Sequence, residues 1–337
     1  MRISTWSVMV ASTLLVSVAG WVPPAIAQPG GNAGRTGDDD AWIDTILATP
    51  NQRTPVPQDN EFATAPGLEQ EATTPQFTVN ALAPLLYNSN PEFRRSGGPQ
   101  SLEGSPVTQL SWASQVFGTP LRVSGTASLE WERFPNANNA SVDYFRSSAR
   151  LQYVNPNDDQ AFSPFFSYVP RMDFEPTFAN NFATRQDLNL GFDERFNFGG
   201  AFNRVPASGN SSSDTVWSFG ISANGQRRIR DVAPQSWALR VAPSASWVIS
   251  PDWNASLAVP LTRRWFNGSS RDLTLEPIGV LEYIIPADWL GGPQVATIMG
   301  NPSVDFMVFH EQNWSSEASF EYSQWRAGIV LKAGWRF

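Results

Sequence analysis

Long stretches of this chain alternate apolar and polar residues with a period of two, and nothing else in the sequence constrains the fold as much. Residues 121–134 read LRVSGTASLEWERF. Leu121, Val123, Ala127, Leu129 and Trp131 share one parity, and Arg122, Ser124, Thr126, Ser128, Glu130 and Glu132 share the other. Successive side chains on a β-strand point to opposite faces, so such a run has one apolar and one polar face. The pattern recurs at 76–87, 107–117, 143–154, 162–174, 186–198, 215–228, 236–250, 254–266, 272–285, 303–313 and 324–337, making twelve runs with turn residues between them. Most exceed the roughly 5–6 residues of a typical soluble strand. They match the roughly 9–11 residues that a tilted strand needs to cross a hydrocarbon layer. No run of comparable length has the period of a helix.

A soluble sandwich alternates too, but strand length favours a closed wall. In lipid every backbone polar group must be paired, which a barrel without edges achieves. The sequence therefore predicts an all-β chain: a single-chain transmembrane antiparallel up-and-down β-barrel of about twelve strands over 76–337, with ten or fourteen also fitting. Turns on the periplasmic side of such barrels are normally short. The long connections at 199–214 and 286–302 are either elaborations or sites of a misassigned strand.

The 14 Trp and 22 Phe fit this scheme. With both ends of the barrel on the periplasmic side, Trp131, Phe145, Trp237, Trp265 and Trp325 fall near the outer rim of the apolar face. Phe162, Phe198, Trp217, Trp247, Tyr283, Trp335 and Phe337 fall near the inner rim. Amphipathic rings favour the headgroup level, so two girdles are expected. Arg133, Arg227 and Arg263 interrupt the apolar face at its outer end, where a charge costs little, and are candidates to contact lipopolysaccharide phosphates.

The chain's beginning has another character. Arg2 precedes an apolar run over 8–19, and Ala25-Ile26-Ala27 forms a small-x-small cleavage pattern before Gln28. Residues 1–27 read as a secretory signal peptide. Residues 28–75 are rich in Pro, Gly, Thr and acidic side chains and cannot bury enough apolar surface to fold alone. They are expected as a disordered periplasmic tail, with a short helix at 42–48 and a periplasmic partner for it in view. No later segment approaches the roughly 18 apolar residues of a membrane helix. There is no cysteine and the net charge is −8, which excludes thiolate metal sites and argues against a nucleic-acid partner.

The chain ends on Phe337, with Trp325, Ala327, Ile329, Leu331, Ala333 and Trp335 on the same parity. This ending resembles the C-terminal assembly signal of bacterial outer-membrane β-barrel proteins, with Trp335 and Phe337 as its aromatics. Together with the leader and the twelve runs, the resemblance covers nearly the whole chain. It implies location in the outer membrane of a Gram-negative bacterium, contact with outer-membrane lipid, and insertion by the outer-membrane assembly machinery.

Candidate lumen-lining residues on the polar parity are Arg122, Glu130, Arg146, Arg150, Asp193, Arg240, Arg264, Glu276, Arg326 and Lys332. If the two signs segregate, a field crosses a narrow pore and selects small charged solutes. If they interleave, ion pairs fill the interior. Small residues (Ser124, Ser128, Ser148, Ser218, Gly220, Ser222, Ser244 and Ser246) leave room and favour a narrow passive channel for small solutes. The alternative is a non-conducting structural or assembly-partner barrel; an outer-membrane hydrolase is a remote third. A serine nucleophile needs a base, and the one histidine, His310, has outward parity, so no enzyme activity is expected. One His without Cys supplies no metal constellation, and the turn at 155–160 reads as a turn. No cofactor is expected.

Overall fold

The computed structural model describes residues 76–116, 119–155, 162–199, 216–268 and 270–337. The expected signal peptide, the tail with its short helix, nearly all of the 155–160 turn and most of the 199–214 connection lie outside the described residues.

The alternating runs become a closed antiparallel wall of twelve strands. Nine strands are continuous: β1 (Gln76–Asn88), β4 (Leu121–Glu132), β5 (Val142–Tyr153), β6 (Ser163–Phe174), β7 (Asn181–Phe198), β8 (Trp217–Arg230), β9 (Ser236–Ser250), β14 (Ser303–Ser315) and β15 (Tyr322–Arg336). Each of the other three is two segments in line. They are β2 (Ser101–Gly104) with β3 (Val107–Gln115), β10 (Trp253–Ala258) with β11 (Leu261–Phe266), and β12 (Arg271–Leu275) with β13 (Ile278–Ile284). Pro106, Pro260 and Pro277 sit in the three breaks. A proline has no N–H to give the ladder, so the strand lapses there. Its carbonyl still serves: Trp131, Glu276 and His310 donate their backbone N–H to Pro106, Pro260 and Pro277 at 3.1, 2.9 and 3.0 Å.

The seam runs between β1 and β15, in register from Thr78 opposite Arg336 to Asn88 opposite Arg326. Phe337 extends it: its N–H donates to the Phe77 carbonyl at 2.8 Å, and the Phe77 N–H donates to the Phe337 carbonyl at 3.2 Å. Among the described residues every strand but the short β2 is paired on both sides, and β2 meets the end of β4 through the Gly104–Arg133 bridge, so the ring closes as lipid requires.

The wall has the inverted polarity of a membrane barrel. Leu190 is 69% and Trp237 is 58% exposed on the outside, while Arg326 and Glu282 are 0% exposed within. A soluble domain of this size would not present so continuous an apolar exterior. Both expected girdles form. At the rim where β1 begins and β15 ends, Trp217 stacks on Trp247 (4.9 Å, 5°), and Trp253 packs on Tyr283 at 4.7 Å. At the opposite, far rim, Trp131 meets Phe178 edge-on at 5.9 Å.

The 286–302 connection is an elaboration and not a lost strand. A 3-10 turn (Ala287–Leu290) leads into the short helix α1 (Pro293–Ile298). The Trp335 indole N–H donates to the Ile298 carbonyl at 2.8 Å, which docks the loop on the rim.

Candidate functional site

The lumen is built from residues of the polar parity, and the two ends of the barrel differ. Near the far rim every one of the twelve strands contributes to a belt of polar side chains. Its centre is Glu103, which accepts from Asn88 Nδ2 (2.8 Å) and Ser105 Oγ (2.9 Å) and faces Arg326 Nη1 at 3.4 Å. Arg326 also reaches Glu132 at 3.9 Å, and Tyr144 donates its hydroxyl to Glu132 at 2.8 Å. The Arg171 guanidinium lies 3.7 Å over the Tyr144 ring and pairs with Asp173 at 2.6 Å.

The belt continues on β7–β11. Asp187 takes Arg228 on both oxygens (2.8 and 2.9 Å) and Arg185 at 3.2 Å, and Arg264 donates to Gln226 and Ser236, both at 3.3 Å. Thr274 donates to Asn313 at 2.8 Å, and Gln324 and Tyr322 donate to Glu311. Below the belt, on the seam side, Lys332 pairs with Glu282 (2.5 Å) and Asp305 (3.5 Å) beside an apolar cluster that includes Leu86, Ile278, Met307 and Phe309. This half of the lumen is packed as a core is.

The other half is open. A cavity of about 520 Å³ lies against β3–β10, lined by Arg146, Arg150, Arg185, Asp187, Arg195 and Arg240 and by the small residues Ser148, Ser218, Gly220, Ser222, Ser244 and Ser246. Short side chains there leave space that the Leu, Ile, Met and Phe of the seam side fill. Arg150 is paired with Asp193 and covers the Phe165 ring at 3.7 Å.

Charge is segregated around the wall. Strands β5–β11 carry Arg146, Arg150, Arg171, Arg185, Arg195, Arg228, Arg230, Arg240 and Arg264, with Asp173, Asp187 and Asp193 among them. Glu103, Glu130, Glu132, Asp272, Glu276, Glu282, Asp305 and Glu311 lie on β2, β4 and from β12 to β14, where Arg122 of β4 and Arg326 and Lys332 of β15 offset only part of their charge. A transverse field results, strongest where the medium is least polarisable.

Of the residues expected to line the lumen, Arg146, Arg150 and Arg240 reach the cavity. Glu130, Arg264, Glu276, Arg326 and Lys332 are buried in the packed interior. Asp193 meets Arg150, and Arg122 lies near the start of β4, towards the rim of the chain ends. Sequence reasoning missed Glu103, Arg185, Arg228 and Arg230. Extending the parity of 186–198 back by one residue gives Arg185, and carrying Ser218, Gly220 and Ser222 forward gives Arg228 and Arg230.

The three outer-face arginines sit near the far rim. Arg133 pairs with Asp143, Arg227 bonds Gln235 and lies 5.0 Å over the Trp237 ring, and Arg263 pairs in register with Leu239 and Leu273. His310 also faces outward, stacked on Trp325 at 4.2 Å. Among the described residues, no group of three His, Cys, Asp or Glu side chains could hold a metal ion.

A closed wall that is apolar outside and charged within gives the chain the fold of a membrane-type antiparallel β-barrel. Similar solved structures include the translocator domain of the autotransporter NalP from Neisseria meningitidis (9% identity, TM-score 0.40, 80% of this chain and 91% of that one). The NanC porin (11%, 0.36, 75% and 98%) and LpxR from Salmonella typhimurium (5%, 0.37, 77% and 99%) are others. No protein-family model matches the sequence, and no curated protein matches it.

Proposed function

We propose that this chain is exported to the outer membrane of a Gram-negative bacterium, where it acts as a narrow passive channel for small solutes, closed at its far rim by the polar belt. The observation that carries this reading is the roughly 520 Å³ arginine-lined cavity left open in one half of the lumen. A barrel kept only for its outer surface has no need of an unfilled, charged interior. Residues 28–337 refolded into a planar bilayer should give small, discrete conductance steps. Barrels starting at residue 76 should give larger ones if the tail enters the lumen. Silence from both, with the barrels shown to be folded, would sink the channel reading.

One observation favours the structural alternative: Glu103, Glu132, Glu311, Gln324 and Arg326 are fully or almost fully buried in the belt. Such a belt can serve as a permanent seal. In that case the tail and the 286–302 loop are the surfaces that bind a partner.

Assembly by the outer-membrane machinery is part of the same proposal. Deleting Phe337 removes two seam hydrogen bonds and the last aromatic of the C-terminal pattern. The share of protein reaching the heat-modifiable, membrane-embedded form in cells should fall several-fold. Replacing Arg133, Arg227 and Arg263 by alanine should lower lipopolysaccharide co-purification if their outer-face charge holds phosphate.

A further inference from the structure

The register sets four arginines side by side on consecutive strands. Arg146 lies opposite Arg171, Arg171 opposite Arg185, and Arg185 opposite Arg230. Adjacent strands are about 4.8 Å apart, so this row spans about 14 Å of wall. Like charges placed directly opposite each other are destabilising. Asp173 pairs with Arg171, and Asp187 is shared between Arg185 and Arg228, and on the inner face of β5–β8 arginines outnumber carboxylates. The row borders the cavity, which Arg195 and Arg240 also line together with the carboxylate of Asp187. An anion entering the cavity would relieve this repulsion.

We propose that the cavity is a binding site for a small polyanion bearing several carboxylate or phosphate oxygens. Arg146 and Arg185 would engage it from one side, with Arg195 and Arg240 completing the cradle. Planar guanidinium forks match both kinds of oxygen acid, and the serines around them offer neutral donors. The proposal deepens the channel reading by naming its solute class, but binding does not require conduction.

The test is calorimetry on the full chain folded in detergent at low salt. Tricarballylate represents the carboxylates, tripolyphosphate the phosphates and spermidine is the cationic control. One or both anions should bind and raise the melting temperature, spermidine should not, and the affinity should fall as salt screens the site. Arg146→Gln with Arg240→Gln should weaken binding by about tenfold or more, as expected on losing charge-assisted hydrogen bonds. Arg195→Gln, at a more exposed position, gives a second variant whose folding is little challenged and should weaken binding in the same direction.

Binding of one anion alone would assign the source as carboxylate or phosphate. No heat from either with the folded wild type, equal binding of spermidine, or wild-type affinity in both variants would overturn the site. Conductance without anion binding would sink the site alone. Anion binding without conductance would sink only the channel.

Discussion

Gly328→Ala is expected to cost the barrel most of its folded yield, although it adds one methyl group. A Cβ at 328 would lie 2.2 Å from the Leu85 carbonyl oxygen and 2.9 Å from the Leu86 Cα. Both atoms are backbone, and both belong to β1 across the closing seam. A side chain in the way could turn aside; a strand held on its other side by β2 and β3 cannot. Ordinary overpacking of a core costs about 1–3 kcal/mol. Here the cost should lie at or above the top of that range, because the seam hydrogen bonds must stretch to admit the methyl.

Gly191 faces the same problem between β7 and β8, where a Cβ would lie 2.2 Å from the Ala223 carbonyl oxygen. Gly225 is the control: the nearest atom to its added Cβ is 4.0 Å away. On gels of unheated samples, Gly328→Ala and Gly191→Ala should show little compact, heat-modifiable protein, whereas Gly225→Ala should resemble wild type. A Gly328→Ala barrel with the wild-type yield and melting temperature would mean that the seam tolerates far more movement than its hydrogen bonding suggests.

Parity carried most of the fold. In β15 it placed Trp325, Ile329 and Leu331 outside and Arg326 and Lys332 inside with no knowledge of any partner, because a strand has only two faces. Parity cannot say what an inward residue meets. Arg326 and Glu103 are 223 residues apart, and they meet only because β15 closes on β1. Segregation of charge depends on closure in the same way. The acids of β2 and β4 and those of β12–β14 belong to opposite ends of the sequence and become one wall when the ring shuts. The small residues pointed to room in the lumen, and those of β8 and β9 line the cavity, but Ser124 and Ser128 of β4 do not, so parity did not say which half would be open. The filled half was hidden, since it depends on how Leu86, Met307 and Phe309 share volume. Strand ends were drawn short at 186 and 228, and this removed from view Arg185 and Arg230, half of the arginine row.

Arg326→Ala should both destabilise the barrel and raise its conductance, and the pairing of these effects tests what the belt does. Arg326 is among the largest fully buried side chains, set between Glu103, Glu132 and the Phe309 ring. Removing one partner of a buried ion pair leaves an uncompensated charge and typically costs about 3–5 kcal/mol, so the melting temperature should fall clearly. Alanine also vacates the centre of the belt on the seam side, where water can follow to hydrate Glu103 and Glu132. If the belt is the gate, single-channel steps should then be larger and more cation-selective than those of wild type.

A triple variant separates the two effects. Glu103→Gln, Glu132→Gln and Arg326→Met together keep most of the volume while removing all three charges, and neutral replacements of a buried ion network are often tolerated. That barrel should recover much of the lost stability and conduct at close to the wild-type level, because the obstruction is back. Higher conductance in Arg326→Ala but not in the triple variant would identify the obstruction as steric. Higher conductance in both would identify it as electrostatic. If Arg326→Ala loses stability and conducts no better than wild type, the belt is a structural seal, and the non-conducting reading gains what the channel reading loses.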